Sequence, residues 1–301
     1  VDKLEEPLKL QENAKVPFLT VAAWEPKGAK ALFSTRMGGV SKGEYSWMNM
    51  GLSTRDNPEF VRENRRAFWS ATGVAQGSVA QAWQVHGDRV AVCHTAGNYR
   101  ETDGLVTARG GVVLAGTFAD CVPIYLFDPV ARIVALAHAG WRGTLSAIAA
   151  RAVRAMEGCG AKASRCMAVI GPAIGACCYR VDERVMTPFA EAFPAWTDLA
   201  KPGETGGFLL DLKGINLRHL VGAGLSPSHV SVSGWCTACH PLMFFSHRRD
   251  SGRTGRMVGA LWLTGVQEDS CRRLEKSERT EGRAPDAEGQ QHTPGGQAPG
   301  R

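Results

Sequence analysis

An α/β fold with mixed sheets is the class this sequence predicts, on two observations. Short apolar, β-favouring runs alternate with segments of helical periodicity, and neither a fixed-period repeat nor an internal linker interrupts them. Hydrophobic residues make up 44% and charged residues 21% of the 301, the balance of a chain that closes a sizeable core.

The elements follow in order. Ala31–Arg36 reads as a strand ended by a turn at Gly38-Gly39. Asn57-Pro58-Glu59 starts a helix, an N-cap followed by proline at the first helical position, and the helix runs to about Ala71 before Gly73. Ala80–His86 and Arg89–Cys93 read as hairpin-like strands; Val112–Phe118, Ile124–Phe127 and Ile133–Ala137 are apolar β runs parted by turn text such as Asp128-Pro129. Alanine-rich Thr144–Glu157 predicts one helix ending at Gly158. A strand at Cys166–Ile170 and a helix over Asp182–Phe193, capped by Asp182, come next. Phe208–Leu212 is a strand, Lys213–Val221 a helix, and Val230–Ser233 and Met257–Leu263 are the last strands. Residues 18–264 therefore form a single domain, 1–17 an N-terminal extension, and 267–301 a polar tail too poor in apolar residues to offset its ordering entropy. A helix over Gln267–Lys276 would be marginal.

The formal charge is +6, and the tail holds six Lys/Arg against seven Asp/Glu, so the positive excess sits in the body. Its arginines are not in lysine-arginine runs and no nucleic-acid signature accompanies them, which points away from nucleic acid and toward a cleft for a small anion such as phosphate. No apolar stretch approaches the roughly 20 residues that span a bilayer, so no membrane association is expected. A charged opening without a secretory apolar core, and nine irregularly spaced cysteines, make a reducing cytoplasm the expected compartment.

Three segments carry metal-grade side chains where an apolar strand gives way to a loop: Gln84-Val85-His86-Gly87, Ala119-Asp120-Cys121-Val122-Pro123 and His138-Ala139-Gly140-Trp141-Arg142-Gly143. Two imidazoles and a thiolate make a set that suits zinc in preference to copper, and three protein ligands leave a fourth position open for catalysis.

Further blocks extend the pattern: Ser34-Thr35-Arg36-Met37-Gly38-Gly39, Asn49-Met50-Gly51-Leu52, Val61-Arg62-Glu63-Asn64-Arg65, Thr102-Asp103-Gly104, Ile170-Gly171-Pro172-Ala173-Ile174-Gly175, Phe244–Asp250 and Thr254-Gly255-Arg256. In this order the chain resembles, over roughly Ala31 to Leu263, the bacterial multicopper-polyphenol-oxidase-like family, also known as the purine nucleoside phosphorylase or peptidoglycan-editing-factor family. The resemblance implies a four-layer α/β/β/α sandwich and a zinc on His86, Cys121 and His138. It also implies phosphorolysis of adenosine, inosine and methylthioadenosine, and deamination of adenosine, with purine nucleosides and phosphate as partners.

Within that frame, Arg36 in its glycine-flanked loop is the first candidate to grip phosphate in bidentate fashion, with Arg62 and Arg142 as further candidates. Asp120 adjoins the cysteine ligand and is a candidate to orient a ligand or shuttle a proton; a hydrogen-bonded turn aspartate is the equal alternative. A copper oxidase in the literal sense is not expected, because none of the eight histidines stands two residues from another.

Cys236-Thr237-Ala238-Cys239 has CxxC spacing, and Cys177-Cys178 are the candidates to complete a second metal set. A zinc there is not expected, since no second CxxC follows and the family carries Cys-Thr without Cys239. Gly171–Gly175 lacks the Lys-Ser/Thr of a P-loop and reads as a turn that carries Cys177 and Tyr179 to the site rim. The deaminase signature H-x-E is absent at His86, and His219, His240 and His247 read as packing or surface residues.

Two function classes follow. One is a zinc-dependent purine nucleoside phosphorylase with adenosine deaminase activity. The other is a hydrolase in which Cys121 is the nucleophile and His138 its base, editing amino acids on peptidoglycan precursors. Neither class assigns an oligomeric state.

Overall fold

A computed structural model describes residues 6–11, 16–195, 197–204 and 206–265. Among them the helices are α1 (Pro58–Ala71), α2 (Trp141–Leu145), α3 (Ile148–Gly158), α4 (Glu183–Ala192) and α5 (Leu212–Gly222). A seven-stranded sheet runs in the order Lys9–Gln11, Phe18–Thr20, Ala29–Ser34, Met257–Leu263, Val113–Phe118, Val79–Trp83, Gly97–Arg100. A six-stranded sheet runs Val230–Val232, Met167–Ile170, Val122–Asp128, Ile133–Ala139, Gly104–Thr107, Val90–Val92. Both mix parallel and antiparallel pairs. A three-stranded sheet of Arg180–Val181, Phe208–Leu210 and Ala200–Pro202 lies apart from them.

Strand alternation builds the layers, because successive side chains point to opposite faces. Leu114, Phe118, Met257 and Leu261 of the first sheet meet Tyr125, Phe127, Val134 and Leu136 of the second in one core between the sheets. On the outer face of the first sheet, Val113, Ala115, Val258 and Ala260 pack against Phe68 and Trp69 of α1. On the outer face of the second, Ile124, Leu126, Ile133 and Ala135 pack against Ala149, Ala152, Val153 and Met156 of α3 and Leu220 of α5. The result is α/β/β/α. The sheets approach so closely that Gly259 has no room for a side chain: a Cβ there would stand 2.8 Å from the Tyr125 hydroxyl, which donates to Leu32 O at 2.8 Å.

Several elements differ from expectation for physical reasons. The first sheet begins before Phe18: Lys9–Gln11 pairs with Phe18–Thr20, Leu8 is buried, and Glu6 accepts the Gly234 N–H. Val79–Trp83 and Val90–Val92 are no hairpin, since they enter different sheets. The helix expected over 144–157 is two helices, broken where Ala147 takes φ 55°. Asn57 caps α1 by accepting the Glu59 N–H, whereas Asp182 precedes α4 without a side-chain cap bond. The strands Gly97–Arg100 and Gly104–Thr107 carry too little periodicity to be read from sequence. The polar tail of 267–301 lies outside the described residues. No helix among the described residues is long and apolar enough to cross a membrane.

Candidate metal centre and cleft

The centre forms where the two sheets meet. Val113–Phe118 of the first sheet leads through Ala119–Cys121 straight into Val122–Asp128 of the second, so Cys121 sits on the crossover. His86 follows the last residues of Val79–Trp83 in the first sheet, and His138 is the penultimate residue of Ile133–Ala139 in the second. Two residues here are held in the left-handed region, His86 at φ 60° and Asp120 at φ 90°, a conformation that surrounding structure must enforce.

The enforcement is visible. Gln84 spans the first sheet, accepting from Thr117 N and donating to Thr117 O at 2.9 Å each. The buried Asp103 carboxylate accepts three successive amides, Val85 at 3.1 Å, His86 at 3.0 Å and Gly87 at 2.9 Å. Its Oδ1 also lies 2.9 Å from His138 Nδ1. One side chain therefore fixes the His86 loop and the His138 ring. Burial alone would raise the Asp103 pKa, but His138 and the Gly87 and Val85 amides outweigh it and hold the carboxyl below its usual range.

With Asp103 receiving the Nδ1 proton, His138 turns Nε2 toward the centre, the arrangement by which carboxylates orient metal-ligating histidines. One ligand atom each from His86, Cys121 and His138 lie within 4.8 Å of one another, a spacing that fits a single ion with bonds of about 2.0–2.3 Å. The histidine rings meet edge-on with centroids 5.1 Å apart. Burial opposes charge on both Cys121 and His138, yet their mutual attraction, with Asp103 behind His138, lowers the thiol's pKa and raises the imidazole's. A ready thiolate is what a soft cation needs. Gly140 leaves room for the set: a Cβ there would meet His86 Cδ2 at 3.1 Å and Cys121 Sγ at 3.2 Å.

The trio lines a cleft of about 500 Å³, within the usual range of small-molecule sites. Arg142, Arg248 and Arg256 also line it, as do Leu52, Trp83, Trp141 and Tyr179. The Arg142 guanidinium lies over the Trp141 ring at 4.2 Å, and that of Arg248 over Tyr179 at 4.9 Å while it donates to Arg180 O. Burial lowers the Arg256 pKa, an effect offset in part by Cys121 and Asp120.

The other expected site residues separate. Arg142 reaches the cleft; Arg36 and Arg62 do not line it. The Arg36 guanidinium is engaged by carbonyls, donating to Ser46 O at 3.0 and 2.5 Å and to Pro241 O at 3.0 Å, and it stacks on Phe245 at 4.5 Å. Its glycine-flanked loop resembles an anion cradle in sequence but binds backbone instead. Arg62 is an exposed partner of Glu59 on α1. Asp120 lines the cleft, but its Oδ1 accepts from Thr237 Oγ1 and its Oδ2 from Arg248 N–H, both at 2.6 Å. Those bonds fit the turn-aspartate reading, in which it holds two neighbouring segments at the edge of the cleft. Asp103, Arg248 and Arg256 were assigned no role from sequence, although Thr102-Asp103-Gly104 and the basic run His247-Arg248-Arg249 were the signals available. Tyr179 reaches the rim as expected, whereas Cys177 does not line the cleft and His247, expected to pack or face solvent, does.

Comparison with known proteins places this geometry. Residues 30–264 match the family model described as multi-copper polyphenol oxidoreductase laccase. Purine nucleoside phosphorylase YlmD of Geobacillus stearothermophilus is 42% identical over 245 residues, covering 77% of this chain and 89% of the relative. The protein of that name from Bacillus subtilis is 40% identical over 245 residues, covering 77% and 87%. The crystal structure of the Geobacillus stearothermophilus YlmD superposes with a TM-score of 0.79 at 37% identity, covering 86% of this chain and all of that one. A Bacillus licheniformis hypothetical protein, YfiH, gives 0.79 at 36% identity, covering 86% and 99%. The copper of the model's description has no matching ligand array: among the described residues one His-containing cluster is present, with two imidazoles and one thiol. Matched over most of its length by the model and by these relatives, the chain belongs to the multi-copper polyphenol oxidoreductase laccase family.

Proposed function

We propose that this chain is a zinc-dependent purine nucleoside phosphorylase acting on adenosine, inosine or methylthioadenosine, with adenosine deamination as a second activity of the same centre. The observation that carries the reading is a soft three-ligand set at a cleft with three arginines and apolar walls. The printed names of the relatives at 40–42% identity agree with it.

Zinc held by His86, Cys121 and His138 would supply Lewis acidity toward the purine or toward water. The chain's own residues do the rest. Arg142 and Arg248, whose aromatic stacking fixes their planes, grip the phosphate dianion in the fork geometry that suits it. Trp83, 52% exposed, offers an aromatic face to the flat base, and Leu52 an apolar wall. Phosphate oxygen forms a bond to C1′ while the C1′–N9 bond breaks, its electron pair leaving with the purine, which takes up a proton. Asp103 keeps the Nδ1 proton on His138 throughout, so the imidazole does not compete for the transferred proton.

Incubation of the purified chain with inosine should yield hypoxanthine and ribose 1-phosphate only when phosphate is present. Phosphate-independent release of free ribose, or no turnover of any of the three nucleosides in zinc-replete protein, would overturn the reading.

One observation favours a second reading. Cys121, His138 and Asp103 stand in the order nucleophile, base, orienting carboxylate. That is the arrangement of a cysteine hydrolase, and it suits removal of an amino acid from a peptidoglycan precursor. Amide hydrolysis by metal-free protein that iodoacetamide abolishes would select it.

A further inference from the structure

We propose that Cys177, Cys178, Cys236 and Cys239 form a second, closed metal site that holds a structural zinc ion. One sulfur from each lies within 4.8 Å of all the others. Cys239 Sγ stands 3.4 Å from Cys178 Sγ and 3.6 Å from Cys177 Sγ. Four sulfurs around one zinc at 2.3 Å are about 3.8 Å apart along the edges of the tetrahedron, whereas a disulfide needs about 2.05 Å. The spacing is that of an ion's coordination shell, and it is shared by four thiols instead of one pair. Sulfide-bridged clusters spread their cysteines over several irons, so the compact set selects a mononuclear ion.

The fold assembles this set from two distant segments. Met167–Ile170 and Val230–Val232 are parallel neighbours, so the loops that leave their C-terminal ends emerge side by side. The loops are then tied: Ala173 bridges Cys236, and Thr237 N–H donates to Ala173 O at 3.1 Å. Gly175 N–H points at Cys236 Sγ at 3.2 Å, the kind of outer hydrogen bond that stabilises a metal thiolate. A Cβ at Gly175 would meet Cys177 Sγ at 3.2 Å and Cys236 Sγ at 3.6 Å, so a side chain there would intrude on the set. Four thiolates on a divalent ion leave a net charge of −2, and the buried Lys213 ammonium stands close enough to Cys236 and Cys177 to feel them.

The site has four protein ligands and no open position, which is the structural type. It staples one wall of the cleft. The first loop continues into Tyr179; the second carries Thr237, whose hydroxyl holds Asp120, and Asp120 in turn holds the Arg248 amide. These are positioning contacts, independent of which reaction the cleft catalyses.

The test reads metal, not turnover. Zinc per chain is measured by elemental analysis on the dialysed full-length protein, on C177S/C239S and on H86A/C121S. Each variant should hold one equivalent less than wild type, and C177S/C239S should melt lower. A second measurement needs no variant. Cys177 and Cys239 are exposed, so iodoacetamide should label them at least about tenfold faster after chelation than before. Equal zinc in wild type and C177S/C239S, equal labelling before and after chelation, iron in place of zinc, or a disulfide among the four in freshly purified protein would each overturn the assignment.

Discussion

Replacing Asp103 by Asn tests the carboxylate behind His86 and His138 most sharply, because it preserves shape and removes the charge and one acceptor oxygen. Asp103 Oδ1 serves the His86 amide and His138 Nδ1, and Oδ2 serves the Val85 and Gly87 amides. An amide side chain has one oxygen, so whichever way it turns, two buried donors face an NH2 group. Losing two charge-assisted bonds at about 1.5 kcal/mol each costs about 3 kcal/mol. At about 2–4 °C per kcal/mol for a chain of this size, Tm falls by about 6–12 °C. Zinc affinity should fall about 10–100-fold, because the His138 ring and the His86 loop lose their common anchor. Thermal melts with and without zinc, and competition against a chromophoric chelator, measure the two effects separately. An Asn variant that binds zinc within about threefold of wild type, well short of the 10–100-fold loss, would show that Asp103 does not orient the ligands.

Gly140→Ala should weaken zinc binding about tenfold, since its Cβ presses on His86 and Cys121, while Tm without metal stays near wild type; chelator competition and melting check this pair. Arg248→Ala should raise the phosphate KM about tenfold, whereas Arg36→Ala should leave that KM unchanged and lower Tm, as steady-state kinetics and calorimetry would show. Asp128→Asn should cost about 1.5–3 kcal/mol at pH 7, since the buried carboxylate receives the Val130, Ala131 and Lys162 amides and the Arg165 guanidinium. Burial alone would raise its pKa, but those partners depress it below the ordinary 3.8. Its contribution is therefore present above that value and lost as pH falls through the depressed one, so melts of wild type and variant should converge only below about pH 4.

The trio was legible because each member stands where an apolar run gives way to a loop, within sequence blocks that resemble the family's. Asp103 was not, because its role arises from amides 16 to 18 residues earlier and a ring 35 residues later, contacts that only the assembled sheets create. Arg36 misled for the converse reason: a glycine-flanked arginine has the text of an anion loop, and only the fold shows carbonyls taking its donors. The break at Ala147 leaves no mark in an alanine-rich run, since a left-handed alanine is imposed from outside. The four cysteines were named from sequence, but a zinc there was not expected, because their second half is a vicinal pair and not a second CxxC.

The crossover at Ala119–Cys121 gives the centre an unusual dependence on distance. His86 lies in the loop after a strand of one sheet, His138 near the end of a strand of the other, and Cys121 on the crossover between them. The spacing of the trio therefore depends both on the shared Asp103 anchor and on how the two sheets pack, which contacts such as Gly259 against Tyr125 help to fix. A bulkier residue at that remote glycine would act like a shim, parting the jaws of the ligand set without touching any ligand. Core packing in this protein reaches as far as the spacing of the three side chains that could hold a metal.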